Sequence, residues 1–93
     1  MMTPSDYVLR MARAYLANPE AGPSSYTVRV TSPEEFEFTI HHPEVPGLLN
    51  RVRRANDVLV DEWTEDGEEW TECARAPDLP SLADRAVLAF TTE

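Results

Sequence analysis

The feature that most constrains the fold is the alternation of apolar and polar residues between Tyr26 and His42. Apolar residues recur at every second position in two runs, 26–31 and 35–42, which is typical of strands with one buried face. Only residues 32–34 separate the runs. Because so short a connection joins antiparallel neighbours, the sequence predicts a β-hairpin and an antiparallel sheet.

A second hairpin is predicted around Asp66-Gly67, a dipeptide typical of two-residue turns. Near-repeats flank it at 62–65 and 69–72. The predicted register places Trp63 opposite Trp70, Asp61 opposite Glu72 and Leu59 opposite Ala74. One alternative remains, since Leu59 and Trp63 also have helical spacing and a helix over residues 47–56 would then continue to Trp63.

Three segments are predicted to be helical. The first begins at Thr3-Pro4-Ser5-Asp6, which has a capping residue followed by proline, and ends at Asn18-Pro19, before a connector over 19–25. A short helix over 47–56 follows from the spacing of four apolar residues: Leu48, Val52, Ala55 and Leu59. The last helix is capped by Ser81, although 86–92 also fits a strand.

The expected order is helix, hairpin, short helix, hairpin, helix. This is an α+β fold: a small antiparallel sheet of two hairpins packed with two to three helices. We expect a single domain, 1–93, because a chain of this length buries only about 60–65% of the surface that its unfolded form exposes.

The composition argues against direct binding to nucleic acids or membranes. The formal charge is −9, from 17 acidic and 8 basic residues, so the protein repels nucleic-acid phosphates and anionic membranes. No run approaches the ~20 apolar residues of a membrane helix, and no basic-then-apolar leader opens the sequence. We therefore expect a cytoplasmic protein that binds neither nucleic acid directly nor membrane.

All basic residues are arginines, and lysine and glutamine are absent, which indicates a genome of high GC content such as that of an actinobacterium or its phage. Without lysine, neither Schiff-base chemistry nor a P-loop is available. Cys73 is the only cysteine, so we expect a small buried hydrophobic residue there.

We expect no catalytic residues, cofactor or metal. The span from Asp61 to Glu72 has the length of an EF-hand loop, but Asp66 stands where the central glycine is required and Trp63 where an oxygen ligand is required. His41 and His42 would point to opposite faces of a strand. No nucleophile elbow or phosphate-binding glycine loop is present.

The strongest candidate for a binding site is Asp57–Glu72, which holds eight of the 17 acidic residues and two tryptophans. Aromatic anchors surrounded by charge are typical of protein-binding sites, although tryptophans also fill cores. The candidate protein-contacting residues are Trp63, Trp70, Glu65, Asp66, Glu68 and Glu69, with Arg51, Arg53 and Arg54 as a second patch.

These observations lead to one expectation and two alternatives. We expect a small acidic, non-catalytic protein-binding domain, a phage or mobile-element product that binds a larger host protein, inhibits or redirects it, and meets it at a basic surface. The first alternative is a nucleic-acid mimic that blocks a DNA- or RNA-binding protein. The second is a dedicated chaperone or immunity protein, for which a homodimer is possible.

Overall fold

The computed structural model describes residues 1–15, 25–41 and 47–91. Its strands form one five-stranded antiparallel sheet whose order in space is the order along the chain, β1-β2-β3-β4-β5. The elements are α1 (Pro4–Tyr15), β1 (Tyr26–Ser32), β2 (Glu35–Ile40), β3 (Leu49–Ala55), β4 (Val58–Thr64), β5 (Thr71–Ala76) and α2 (Leu79–Thr91). The predicted α+β class is confirmed, and the two predicted hairpins are parts of one continuous meander.

The start of α1 is the one predicted. The Thr3 hydroxyl accepts the Asp6 N–H at 3.1 Å, and the Asp6 carboxylate accepts the Thr3 N–H at 3.0 Å. This reciprocal capping box satisfies two of the backbone donors that a helix N-terminus leaves free. The predicted end at Asn18-Pro19 lies outside the described residues, as does most of the 19–25 connector.

The helix predicted over 47–56 is wrong, because this segment forms strand β3. Its register pairs Val52 with Phe36 of β2 and with Asp61 of β4. Pairing on both sides satisfies the backbone without a helix, and this outweighs the helical spacing of the apolar side chains. Residues 56–57, at the end of the segment predicted as a helix, form the tight turn to β4, where Asn56 has a φ of 58°.

Strand β4 is confirmed, and the alternative in which a helix runs on to Trp63 is wrong. The two-residue turn is also wrong, because residues 65–70 connect β4 to β5. The register pairs Trp63 with Thr71, Glu62 with Glu72, Asp61 with Ala74, and Leu59 with Ala76, with an irregularity between Asp61 and Glu62. Trp63 therefore does not face Trp70.

Helix α2 begins two residues before the predicted cap. Asp78, and not Ser81, caps it, because an Asp78 carboxylate oxygen accepts the Ser81 N–H at 2.8 Å. Pro80 fits in the first turn, where no intrahelical partner is needed for its nitrogen. The helix continues to Thr91, so a strand over 86–92 is wrong. Within the described ranges, neither helix has the length and apolar character to cross a bilayer.

Both helices pack on one face of the sheet, which we call the helix-covered face. The core lies between them and this face, and its buried residues are Tyr7, Val8, Met11, Ala12, Phe36, Phe38, Ile40, Val52, Leu59, Ala76, Leu79, Leu82, Ala83 and Ala86. The aromatic ring of Tyr7 meets the rings of Phe36 and Phe38 edge to face, at 5.5 and 6.0 Å between centroids. We call the opposite side, where the intervening residues of each strand point, the open face.

Candidate protein-binding surface

The centre of the open face is a buried carboxylate between two arginines. Glu62 on β4 is 5% exposed, and one of its oxygens accepts hydrogen bonds from Arg51 Nε at 2.5 Å and Arg53 Nε at 2.6 Å. Arg51 and Arg53 alternate along β3 and so project from the same face. Both guanidinium groups are therefore fixed in position by one buried acid.

The electrostatics of Glu62 follow from these two contacts. Burial by itself raises the pKa of Glu62, but the hydrogen bonds from Arg53 and Arg51, with their positive charges, outweigh burial and hold this pKa below its ordinary value. Glu62 is accordingly ionised at neutral pH. The two arginines are therefore ion-paired to one buried anion, and further acids, Glu37 and Glu72, lie opposite this cluster on the neighbouring strands.

Trp70 lies over this cluster. The guanidinium carbon of Arg51 is 3.8 Å from the centroid of the Trp70 ring, a cation–π contact that adds to the ion pair with Glu62. Trp70 is half-buried and Arg51 keeps 35% of its side chain exposed. The arrangement holds a large aromatic ring at the surface in a fixed position.

The loop before Trp70 carries exposed acids in a defined conformation. One Asp66 oxygen accepts the N–H groups of Glu69 at 3.0 Å and Glu68 at 2.8 Å and the hydroxyl of Thr64 at 3.0 Å. These bonds lower the pKa of Asp66. Gly67 adopts a φ of 81°, which favours glycine. Asp66 thus organises the loop, while Glu65, Glu68 and Glu69 face solvent.

We refer to Arg51, Trp70 and the acidic loop 65–69 together as the Trp70 surface. Beside it the open face has a shallow cleft of about 210 Å³ between β2 and β3. Acidic and basic side chains both line this cleft, namely Glu35, Glu37, Arg51 and Arg53. The neighbourhood therefore offers contacts of both signs beside one aromatic ring.

The other predicted binding residues lie elsewhere. Trp63 shares the helix-covered face with Leu59 and Asp61 but is not part of the apolar core cluster. Arg54 also points to that face, where it forms a bidentate ion pair with Glu34. Its Nη2 lies 2.7 Å from one carboxylate oxygen and its Nε lies 3.2 Å from the other. The three arginines predicted as one patch are therefore split between the two faces, since neighbouring strand residues point in opposite directions.

Sequence reasoning missed a buried polar group in the core. Asp61 is fully buried, and one of its oxygens accepts a hydrogen bond from the Tyr7 hydroxyl. The other oxygen has no hydrogen-bond partner in the part of the chain that the structure describes. Burial raises the pKa of Asp61 to about 7, although the Tyr7 hydrogen bond acts in the opposite direction. The signal was present, because Leu59, Asp61 and Trp63 alternate along one strand and must share a face.

Cys73 lies close to this group. It packs against the core as expected, but it is half-buried and not buried. Burial, with the nearby Asp61 carboxylate, raises the pKa of the Cys73 thiol to about 11. The thiol is therefore protonated at neutral pH and a weak nucleophile.

No cluster of three or more potential metal ligands occurs among residues 1–15, 25–41 and 47–91. A ring nitrogen of His41 lies 2.6 Å from the Thr27 hydroxyl, across the β1–β2 pair. His42, which was predicted to point to the opposite strand face from His41, lies outside the described residues.

Comparisons with protein-family models, curated proteins and solved structures found no match.

Proposed function

We propose that the protein is a small, non-catalytic protein-binding domain that attaches to a larger protein through the Trp70 surface and inhibits or redirects it. The observation that carries this proposal is the position of Trp70, which lies half-buried on Arg51 at the open face and next to three exposed glutamates. A fixed aromatic ring contributes contact area at a low cost in conformational entropy. The glutamates favour a partner with a basic surface.

Two properties of the site support binding more than a purely structural role. The two helices cover the apolar core on the helix-covered face, so Trp70, which lies on the open face, is not needed to cover that core. The loop conformation is held by Asp66, so the exposed glutamates are presented without a further ordering step. Preorganisation of this kind favours affinity because less freedom is lost on association.

The direct test is to capture partners with the tagged protein from a lysate of a bacterium whose genome has a high GC content. The affinity for the captured partner is then measured. Trp70→Ala should fold normally and lose at least about tenfold in affinity, as expected for a binding hot spot. Trp63→Ala is the matched control, because it removes the same side chain from the other face. Equal binding by wild type and Trp70→Ala would contradict the proposal.

Charge distinguishes this proposal from a nucleic-acid mimic. The triple variant E65Q/E68Q/E69Q removes the exposed charges and keeps Asp66, which organises the loop. For a Trp-anchored interface we expect slower association and a modest loss of affinity. For a nucleic-acid mimic, this triple variant should lose most of its affinity, and the affinity of the wild type should fall steeply as the salt concentration rises. A dedicated chaperone or immunity protein would instead be indicated by a homodimer in solution.

A further inference from the structure

The core of this protein contains an acid with too few partners. Asp61 is fully buried on the helix-covered face, and its cross-strand neighbours, Val52 and Ala74, offer no polar side chain. Among the described residues, a single hydrogen bond, from the Tyr7 hydroxyl, reaches one oxygen, and the other oxygen has no partner. Ionised carboxylates in proteins ordinarily need several donors when water is removed.

The single donor belongs to another element. Tyr7 lies on α1, whereas Asp61 lies on β4, so this bond ties the N-terminal helix to the sheet. Tyr7 itself is fully buried, and its ring packs edge to face against Phe36 and Phe38. Any movement that brought water to the free oxygen of Asp61 would therefore disturb the packing of α1.

We propose that the buried Asp61 carboxyl beneath Tyr7 is a pH-sensitive latch. Helix α1 stays packed on the sheet while Asp61 is neutral and is released when Asp61 ionises, because water must then reach its unpartnered oxygen. The bistable element is α1, and its release exposes an apolar stripe of that helix together with the aromatic residues of β2 beneath it. This device is independent of the Trp70 surface, which lies on the other face.

The surrounding charges do not neutralise Asp61. From α1, Tyr7 is neutral and its pKa is raised by burial and by Asp61 itself, while Arg10 on the same helix pairs with Asp84 of α2 at 2.5 Å. From β5, the Cys73 thiol is neutral. Glu62, the next residue on β4, is negative and raises the pKa of Asp61 further.

Among the described residues, the remaining elements packed on this face contribute no buried charge. The residues of β2 and β3 on this face are Phe36, Phe38, Ile40, Asn50 and Val52, which are uncharged, and Arg54, which is exposed and forms an ion pair with Glu34. The buried residues of α2 are leucine and alanine, and its Arg85 instead donates to the Arg75 carbonyl at 2.6 Å. Burial raises the pKa of Asp61 to about 7, so the latch would operate in the neutral range.

Amide hydrogen exchange tests the latch in the full chain, compared at about pH 5.5 and about pH 8.5 after correction for intrinsic rates. We expect the protection of α1 amides to fall by at least about tenfold at the higher pH, while α2 amides change little. In Asp61→Asn, α1 should keep the same protection at both pH values. Asp57→Asn, an exposed acid in the β3–β4 turn, is the matched control and should behave as wild type.

Tyr7→Phe gives a second test if Asp61→Asn fails to fold. It removes the one donor that favours the charged form of Asp61, so the pKa of Asp61 should rise and the midpoint of α1 release should move to higher pH. An unchanged midpoint would overturn the proposal. So would α1 protection that is independent of pH, a loss shared equally by α1 and α2, or a loss that persists in Asp61→Asn.

Discussion

Asp61 and Glu62 are neighbours on β4 and both are buried, yet their pKa values are shifted in opposite directions on the two faces of the sheet. Glu62 points to the open face, where two arginines donate to it. Asp61 points to the helix-covered face, where the Tyr7 hydroxyl is its only hydrogen-bond donor within residues 1–15, 25–41 and 47–91. The pKa of Glu62 is held below its ordinary value, and that of Asp61 is raised to about 7.

The difference shows that the partner decides the charge state of a buried acid. Burial raises the pKa in both residues, and only the two guanidinium groups reverse that effect for Glu62. The open face is therefore organised by fixed charges that also hold Trp70. The helix-covered face is organised by apolar packing and contains one acid that this packing disfavours in its charged form.

The largest loss of stability should come from truncating a buried side chain on the helix-covered face. Phe38→Ala removes a ring that is 2% exposed and packs against Tyr7, so we expect a loss of about 3–5 kcal/mol in the free energy of unfolding. Arg29→Ala, on the open face of β1, should change stability by less than about 0.5 kcal/mol. Denaturant titration of both variants measures this contrast, and similar losses would remove the distinction between the faces.

The second effect concerns pH. Because the folded-state pKa of Asp61 lies near 7, above its ordinary value of 3.8, the unfolded state loses this proton first as pH rises. The stabilisation linked to the proton is complete below pH 3.8 and is lost as pH rises through about 7.

Asp61→Asn removes that dependence. Between about pH 5 and about pH 8, the stability of the variant should improve relative to wild type by about 2–4 kcal/mol. Thermal or urea unfolding across that range measures the change. A difference between the two proteins that stays constant with pH would show that Asp61 ionises normally.

A smaller effect with the opposite pH dependence is expected for Glu62→Gln. At neutral pH the loss should be about 1–2 kcal/mol, because charged hydrogen bonds are broken but the half-exposed arginines regain water. The pKa of Glu62 is lowered in the folded state, so its stabilisation is present above the ordinary glutamate pKa and is lost as pH falls through the folded value. The penalty of the variant, measured by urea unfolding, should therefore shrink in acid; a constant penalty would contradict the charged pairing.

The smallest effect is expected in the β3–β4 turn, which precedes the strand that carries Asp61 and Glu62. Asn56 joins β3 to β4 with a positive φ, which β-branched residues adopt poorly. Asn56→Val should cost about 1 kcal/mol, whereas Asn56→Gly should be neutral within a few tenths. Urea unfolding of the two variants measures this order, and a Val variant as stable as the Gly variant would show that the turn carries no such constraint.

Local signals in the sequence were sufficient for α1, for the first hairpin and for β4. Each has a pattern whose physical cause is local, such as the Thr3–Asp6 capping box or strict alternation. β3 was predicted as a helix because its apolar residues, such as Leu48, Val52 and Ala55, have helical spacing and do not alternate. The decisive alternation lay in its arginines, where Arg51 and Arg53 share a face through Glu62, a partner that only the folded sheet supplies.

The candidate site was predictable by composition and not by geometry. The residues of the Trp70 surface were all named from the sequence, but Trp63 and Arg54 were grouped with them and lie on the other face. The error for Trp63 came from the six-residue β4–β5 connection, because the Asp66 side chain stabilises a wider loop than Asp-Gly usually forms. The error for Arg54 arose because neighbouring residues of strand β3 point to opposite faces. Asp61 was counted as a surface acid, since the helix that covers it comes from the other end of the chain.

The most direct measurement is a carbon-13 NMR titration of the side-chain carboxyls of Asp61 and Glu62 in one sample. We expect Asp61 to titrate near pH 7 and Glu62 to titrate below the ordinary range of glutamate. Two ordinary carboxyl midpoints would contradict the opposite charge states of these neighbours and the partner-controlled difference between the two faces.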